Sequence, residues 1–316
     1  MKITLAALAA GLLLSVTPLA QAAPPAFSGT ATIKYQSETA DQMPQQSGTM
    51  TTLTLRGEQP LGRNFSVYAR LAAQYASNPL LADYDLEIHG EDKKFVASID
   101  QFGILYKPGD FSFNLGRQEA LIGKTAVLYS RSETNVGYGT FVDGLSFSGT
   151  AGKFDVSGIA ARENNLGLPN NSLYALRAGY NLSKSTNLGV TWGNYRVHEG
   201  DTTNHWAIDA GATWGKASFI GEYAQSSASQ QNKAYALSLN YDLNGKTAVY
   251  LTHFRVEANA DMGGQSDFDN DNRGIYYGLT HAFNDKLSLE VIFKDQVLLS
   301  DDSKNSKLEI WLKNKF

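Results

Sequence analysis

The sequence predicts an all-β fold, a transmembrane antiparallel β-barrel of about 16 strands. Three observations support this prediction. Apolar and polar residues alternate through most of the chain, short and long connections between the alternating runs follow one another in turn, and a secretory leader precedes them. Period-two alternation is typical of strands that have two different faces, and no helical pattern interrupts the series.

The chain begins with the features of a cleaved signal peptide. Met1-Lys2 provides a charged start, Leu5 to Val16 is an apolar run, and Ala20-Gln21-Ala22 fits the small-x-small cleavage pattern. The segment is too short for a membrane-spanning helix, and the prolines that follow it argue against an uncleaved anchor. We expect residues 1–22 to be removed and residues 23–316 to form one barrel domain in the bacterial outer membrane.

Composition excludes several classes of protein. The chain of 316 residues contains no cysteine, which excludes a lipoprotein anchor, thiol catalysis and a disulfide framework. After the leader, no apolar run is long enough for a spanning helix. The formal net charge of −4 gives no support to nucleic-acid binding.

Alternation assigns a face to each residue of the first strands. Between Phe27 and Tyr35, Ile33 falls on the apolar face and Lys34 on the polar face. The same parity places Arg56 and Arg70 on the polar face of the next two strands. In a membrane barrel the apolar face contacts lipid and the polar face lines the lumen. Lys34, Arg56 and Arg70 are therefore predicted to line the pore.

The connections differ in length in a regular way. Tight turns such as Pro-Gly-Asp at 108–110 and Asn-Gly-Lys at 244–246 tolerate the positive backbone angles that short hairpins need. Longer polar loops alternate with them, as expected for a barrel with short periplasmic turns and long external loops. Counting gives about 16 strands, with 14 or 18 also open, because Asp83 to His89 fits either a strand or a loop.

A soluble β-sandwich is the competing fold, and the placement of aromatic residues argues against it. Phe65 and Tyr75 share one face of a strand, as do Trp206 and Trp214. In a tilted strand these spacings project to roughly 20–25 Å along the membrane normal. That is about the height of the apolar band between the two aromatic girdles of a membrane barrel.

One segment breaks the alternation. Between two well-patterned regions, Ala120 to Gly139 shows about twenty residues without a steady period. A long irregular segment in a compact β protein needs a reason. We expect it to fold back into the barrel and narrow the channel.

Short motifs around this segment resemble those of Gram-negative general diffusion porins, which have 16 strands. Phe102 to Gln118 resembles the strand pair before the constriction loop of that family, Phe141 to Leu145 resembles the strand after it, and Phe316 resembles the family's terminal Phe. The resemblance implies that Ala120 to Gly139 is the third external loop. It also implies a homotrimer, and recognition of Phe316 by the barrel-assembly machinery.

The charge pattern matches the family only in part. The resemblance implies a basic ladder on the wall, for which Lys34, Arg56 and Arg70 are the candidates, facing an acidic loop. The loop here carries Lys124, Arg131 and Glu133, so it is not predominantly acidic and the ion selectivity stays open. Alternation places further charges of both signs on the inner face, namely Asp155, Arg177, Asp209, Glu222, Asp242, Glu290, Lys294, Glu309 and Lys313.

Arg117 contradicts the simple pattern. It shares parity with Phe113 and Leu115, which points it outward, where a charge costs roughly 2–4 kcal/mol at mid-membrane. Three explanations are open: a bulge that turns the side chain inward, a position at the outer end of the strand, or burial against a neighbouring subunit. Arg117 is therefore a candidate residue of the subunit interface.

Motifs for catalysis or metal binding are weak. Asp267 to Gly274 resembles a calcium loop, but the required glycine and glutamate are absent. No histidine pair has metal-ligand spacing, and no nucleophile lies beside an oriented base. We expect no catalytic residue, no metal and no cofactor.

These observations predict a water-filled outer-membrane channel for the passive diffusion of small hydrophilic solutes and ions, in contact with outer-membrane lipids and not with nucleic acid. A substrate-selective channel ranks second, because few aromatic residues (Tyr68 and Tyr276 most clearly) fall on the inner face. A barrel enzyme and an adhesin with a plugged lumen rank below it.

Overall fold

The computed structural model describes residues 24–41, 43–78, 94–132, 136, 140–165 and 169–316. Within these ranges the chain is all-β, and no helix is long and apolar enough to cross a lipid bilayer. The segment from Asp83 to His89, for which strand and loop were both open, lies outside the described residues, as does Glu133.

The described residues form eighteen strands. Their bounds in chain order are β1 Ala26–Ala40, β2 Gln46–Pro60, β3 Phe65–Ala76, β4 Phe95–Tyr106, β5 Phe111–Gln118, β6 Ala120–Ile122, β7 Tyr129–Arg131, β8 Val142–Ala151, β9 Phe154–Glu163, β10 Ser172–Asn181, β11 Thr186–Arg196, β12 Thr202–Trp214, β13 Ala217–Ser226, β14 Lys233–Asp242, β15 Thr247–Val256, β16 Asn272–Ala282, β17 Leu287–Leu298 and β18 Lys304–Lys315.

Sixteen of these strands close into one antiparallel barrel, which confirms the predicted fold class and strand count. Each strand pairs with its neighbour in the chain, except that β5 pairs with β8, and β1 pairs with β18 to close the ring. The first pair of the closure joins Thr30 to Lys315 and the last joins Ala40 to Asn305. Closure leaves no free sheet edge, and it also excludes the β-sandwich.

The remaining two strands, β6 and β7, pair with each other inside the segment from Ala120 to Gly139. The segment was expected to be irregular, and this expectation was wrong for its first half. Each strand has only three residues, which is too short for a period to be recognised in the sequence.

The tight turns occur where the sequence predicts them. Gly109 lies between β4 and β5 with a φ of 58°, and Gly245 lies between β14 and β15 with a φ of 79°, a left-handed conformation that glycine adopts without steric cost. The start of β1 and the end of β18 lie at this short-turn end of the barrel, and the longer connections lie at the opposite end. We number the longer connections L1 to L8 in chain order.

The wall has two different surfaces. Ile33, Leu53 and Leu71 point outward and are about half exposed, whereas the polar residues that alternate with them point inward. The apolar core lies inside the barrel, between the wall and two of the long connections. The arrangement of these two connections determines which part of the lumen stays open.

Candidate functional site

L3 (residues 119–141, between β5 and β8) folds into the lumen, as the sequence predicts. Val127, Leu128 and Tyr129 are completely buried and pack in one cluster with Leu173 on β10 and Phe254 on β15. Apolar burial therefore holds L3 against the inner face of the wall, in addition to the polar contacts described next.

Glu163, at the end of β9, is the main polar anchor of L3. One carboxylate oxygen accepts hydrogen bonds from the hydroxyls of Tyr129 on L3 and Tyr195 on β11, both at 3.0 Å. The other oxygen accepts from the side-chain amides of Asn165 at 2.9 Å and Asn171 at 2.8 Å. Arg131 on L3 lies 3.4 Å from the same carboxylate. The buried charge is thus surrounded by donors and a countercharge, as a buried carboxylate requires.

A second carboxylate holds the tip of L3. Glu222, buried on the inner face of β13, accepts hydrogen bonds from the backbone N–H of Thr125 at 2.6 Å and from its hydroxyl at 2.7 Å. The backbone of L3 passes close to Glu222 at Gly123, where an added Cβ would lie only 2.5 Å from the carboxylate. L3 is therefore fixed at two points on the wall, by β9 and β13.

L7 (residues 257–271, between β15 and β16) also folds inward, which the sequence analysis did not predict. The backbone N–H of Met262 donates to Leu128 O at 2.9 Å, and that of Asp267 donates to Ala126 O at 3.1 Å. In the opposite direction, the backbone N–H of Ser130 in L3 donates to Gln265 O at 2.5 Å. Phe268 stacks on Phe254, with ring centroids 5.0 Å apart. The two connections form one unit on one side of the lumen.

Asp261 holds L7 in its folded shape. Its carboxylate accepts hydrogen bonds from the backbone N–H groups of Gly264 at 3.1 Å and Ser266 at 2.9 Å, and from the Asn270 amide at 2.9 Å. Burial raises the pKa of Asp261 to about 6, although these hydrogen bonds act in the opposite direction. The segment 267–274, which resembles a calcium loop, belongs in part to this packed structure.

The opposite side of the lumen contains two neighbouring cavities. One has a volume of about 500 Å³ and is lined by residues of β1–β5, including Arg56, Tyr68 and Arg70. The other has a volume of about 330 Å³ and lies between Ser132 of L3 and the strands β1, β2, β17 and β18. Both are lined by Thr30 and Thr54, so they lie next to each other along the wall.

A β-bulge in β4 places a carboxylate beside Arg70. The register between β3 and β4 shifts after Arg70, and Asp100 is the extra residue. Both Asp100 and its neighbour Gln101 are consequently buried on the inside. The Arg70 guanidinium donates to Asp100 twice, at 2.9 and 2.8 Å, and lies 3.9 Å from Glu119 at the start of L3. Arg70 is on the inner face as predicted, but its charge is compensated.

Lys34 also lies on the inner face, but its side chain is 0% exposed. The ammonium group is 3.5 Å from Glu309 and 4.4 Å from the ring centroid of Trp311. The same carboxylate lies 2.9 Å from Lys294. Lys34 therefore neutralises Glu309 beneath the indole ring and does not present its charge to the cavity.

The other predicted pore residues differ in exposure. Arg56 is 30% exposed in the larger cavity, with its guanidinium 3.8 Å from the ring centroid of Tyr68. Lys124 is exposed on L3, whereas Arg131 is buried at the Glu163 anchor. Of the three basic wall residues, Arg56 is the most exposed, although its guanidinium also lies 3.6 Å from Glu58.

Arg117 points outward, near the end of β5, and is not turned inward by a bulge. The registers with β4 and β8 run through it without a shift. Its guanidinium donates to both carboxylate oxygens of Asp143, the directly opposite residue on β8, at 2.8 and 2.9 Å, and lies over the ring of Phe102. The ion pair and the position at the strand end reduce the cost of the outward charge.

Several residues of the lumen were missed in the sequence analysis. Trp311 and Tyr250 face inward, although Tyr68 and Tyr276 were named as the clearest inward aromatics. Glu119 lies one residue before the segment considered as the loop and faces Arg70. The parity of Trp311 with Glu309 and Lys313 was visible in the sequence and could have identified it.

The fold is similar to those of solved porin structures. No protein-family profile and no curated protein sequence matches the chain. OmpF of Salmonella typhi, in complex with daunomycin, is similar with a TM-score of 0.63 and 12% identity over 94% of this chain and 100% of its own. A triple mutant of Rhodopseudomonas blastica porin has a TM-score of 0.60 and 9% identity, over 92% and 100% of the two chains. The chain has the fold of the general diffusion porins.

Proposed function

We propose that this protein is a bacterial outer-membrane porin, a water-filled channel through which small hydrophilic solutes and ions diffuse passively. The observation that carries the proposal is the pair of neighbouring cavities between L3 and the wall of β17, β18 and β1–β5, which hydroxyl and charged side chains border, inside a barrel whose outer face is apolar. An apolar outside suits contact with outer-membrane lipids, and a polar inside with charges of both signs holds water.

The proposal includes removal of the signal peptide and assembly as a homotrimer. Arg117, paired with Asp143 on the outer face, is the residue proposed to lie at the subunit interface. Phe316 hydrogen-bonds through its backbone N–H to Gly29 O at 3.0 Å, so the terminal residue continues the last strand. We propose that the barrel-assembly machinery recognises this ending. The mechanism requires no cofactor and no covalent chemistry.

Single-channel recording in a planar bilayer tests the function. The refolded protein is expected to give stepwise openings, in groups of three for a trimer, and the reversal potential in a salt gradient gives the ion selectivity. Solute-dependent swelling of proteoliposomes would show passage of uncharged solutes. A correctly folded barrel that neither conducts ions nor admits solutes would refute the proposal and redirect attention to an enzyme or adhesin.

A further inference from the structure

The smaller of the two cavities differs from the rest of the lumen in its chemistry. We propose that it is a weak binding subsite for neutral carbohydrates. The inference rests on the proposed function, since a solute reaches this cavity only through an open channel. It is carried by three features: a hydroxyl-rich wall, a flat aromatic ring and a nearly balanced set of charges.

The hydroxyl-rich wall comes from β1 and β2. Thr30, Thr32, Thr52 and Thr54 face the cavity from paired positions of these two strands. The hydroxyls of Thr30 and Thr54 are 2.7 Å apart. Each hydroxyl both donates and accepts hydrogen bonds, which matches the hydroxyls of a sugar, since these also do both.

Trp311 on β18 supplies the aromatic ring. Lys34 covers it from the wall side, and the ring also packs against the buried Met50. These contacts fix the indole, yet Trp311 remains partly exposed and lines the cavity. A rigid ring with an exposed apolar surface suits the C–H face of a pyranose, in the way that aromatic side chains offer large apolar surface at fixed geometry.

Glu290 on β17 lies directly opposite Trp311 in the strand register. Its carboxylate accepts a hydrogen bond from Tyr250 at 2.9 Å, which orients it at the edge of the cavity. A carboxylate beside an aromatic ring can accept hydrogen bonds from the hydroxyl rim of a sugar whose apolar face rests on that ring.

The charges around the cavity favour a neutral ligand. Glu309 lies between two ammonium groups, those of Lys34 at 3.5 Å and Lys294 at 2.9 Å. Lys313 lines the same cavity as Glu290. Neither an anion nor a cation therefore meets a large excess of the opposite charge. The volume of about 330 Å³ lies near the lower end of the usual range for small-molecule sites.

Channel block by maltotriose tests the inference. We expect the sugar to reduce the single-channel current in a saturable manner, and we expect Trp311→Ala to raise the half-blocking concentration about tenfold while the channel still conducts. Trp311→Phe should restore part of the block. Trp206→Ala, which removes an outward-facing indole, is the matched control and should leave the block unchanged. If Trp311→Ala does not fold, Thr32→Val removes one hydroxyl at nearly constant shape and should weaken the block about 2- to 10-fold.

Two further probes distinguish specific sugar binding from simple obstruction and from cation binding. Polyethylene glycol of similar mass should block less well than maltotriose, and its block should not depend on Trp311. An equal block by maltotriose and polyethylene glycol, or a maltotriose block that persists in Trp311→Ala, would overturn the proposed subsite while leaving the porin proposal intact. Stronger block by tetraethylammonium than by the sugar would assign the cavity to cations and overturn the inference. Absence of conductance in the wild-type protein would instead refute the proposed function.

Discussion

The two sides of the lumen have the same strand geometry but differ in their inward-facing residues. On the side of β8–β16, small and apolar inward residues, among them Ala207, Ala224, Ala234 and Ala236, are buried under L3 and L7, and inward charges such as Glu163, Arg177 and Asp209 are held in ion pairs. On the side of β17, β18 and β1–β5, the inward positions carry hydroxyls and charges and border open cavities. The first side is packed against the two inward connections, whereas the second borders the open part of the lumen.

The comparison shows how the lumen is narrowed. L3 does not cross the lumen as an isolated strap, because its buried residues share one apolar cluster with the wall and with L7. The cavity is therefore displaced toward the opposite wall. Substitutions on the packed side should alter stability and pore size together, whereas substitutions on the open side should alter permeation alone.

The largest expected effect is the loss of the Glu163 anchor. Glu163→Ala leaves Arg131 buried without its carboxylate and leaves several donors unpaired, which should cost about 3–5 kcal/mol of stability. L3 should detach, giving larger and noisier single-channel currents. The double variant Glu163→Ala/Arg131→Ala removes the unpaired charge and should recover part of the stability. An unchanged conductance and unfolding midpoint in Glu163→Ala would show that apolar packing and the Glu222 anchor hold L3 without Glu163.

Two residues of β15 distinguish the packed core inside the barrel from its outer face. Phe254 points inward and is completely buried, and Leu251 points outward and is 39% exposed. Phe254→Ala should lower the free energy of unfolding by about 3–5 kcal/mol, because it leaves a cavity in contact with Phe268 and Tyr276. Urea unfolding in lipid vesicles measures the change. Leu251→Ala is the control, and an equal loss in both variants would contradict the assignment of the core to the lumen.

The stability of L7 should depend on pH through Asp261. Its pKa in the folded protein is about 6, above the usual 3.8, so the folded state binds the proton more tightly than the unfolded state. The stabilisation is therefore complete below about pH 4 and is lost as pH rises through about 6, by about 2–3 kcal/mol in total. Hydrogen exchange at the Gly264 and Ser266 amides, corrected for intrinsic rates, should show greater protection at pH 5 than at pH 7.5.

Two variants control this measurement. Asp261→Asn should remove most of the pH dependence of protection, because the amide does not titrate. Asp301→Asn changes a fully exposed carboxylate in L8 and should leave the dependence intact. A pH dependence that persists in Asp261→Asn would assign the titration to another group.

The smallest effect on stability is expected for Arg56 on the open side. Arg56→Gln should change the free energy of unfolding by no more than about 1 kcal/mol, because Arg56 is partly exposed and solvent screens its ion pair with Glu58. It should nevertheless shift the reversal potential toward cation selectivity, because a partly exposed positive charge leaves the cavity. Arg131→Gln, which removes an arginine from the packed side, should do the reverse and alter stability more than selectivity. Equal shifts in reversal potential would contradict the division of the lumen.

Alternation alone determined much of this structure. It was sufficient to predict an all-β barrel, the strand count, the inward parity of Lys34, Arg56 and Arg70, and the outward parity of Arg117, because successive side chains of a strand point to opposite faces. The turn residues between the strands marked most of their ends, since glycine and asparagine adopt the required backbone angles. The loop in the lumen was predictable because it interrupts a regular series.

Only the tertiary structure decided which inward residues face water. Lys34 and Arg131 have the parity or position expected of pore residues, yet contacts with Glu309 and Glu163 bury their charges. Those partners are 275 and 32 positions away in the chain, and spacing in the sequence cannot pair them. The inward fold of L7 depends likewise on L3 and β15, although the continuous apolar run from Ala234 to Leu237 was a local sign that the inner face of β14 is covered.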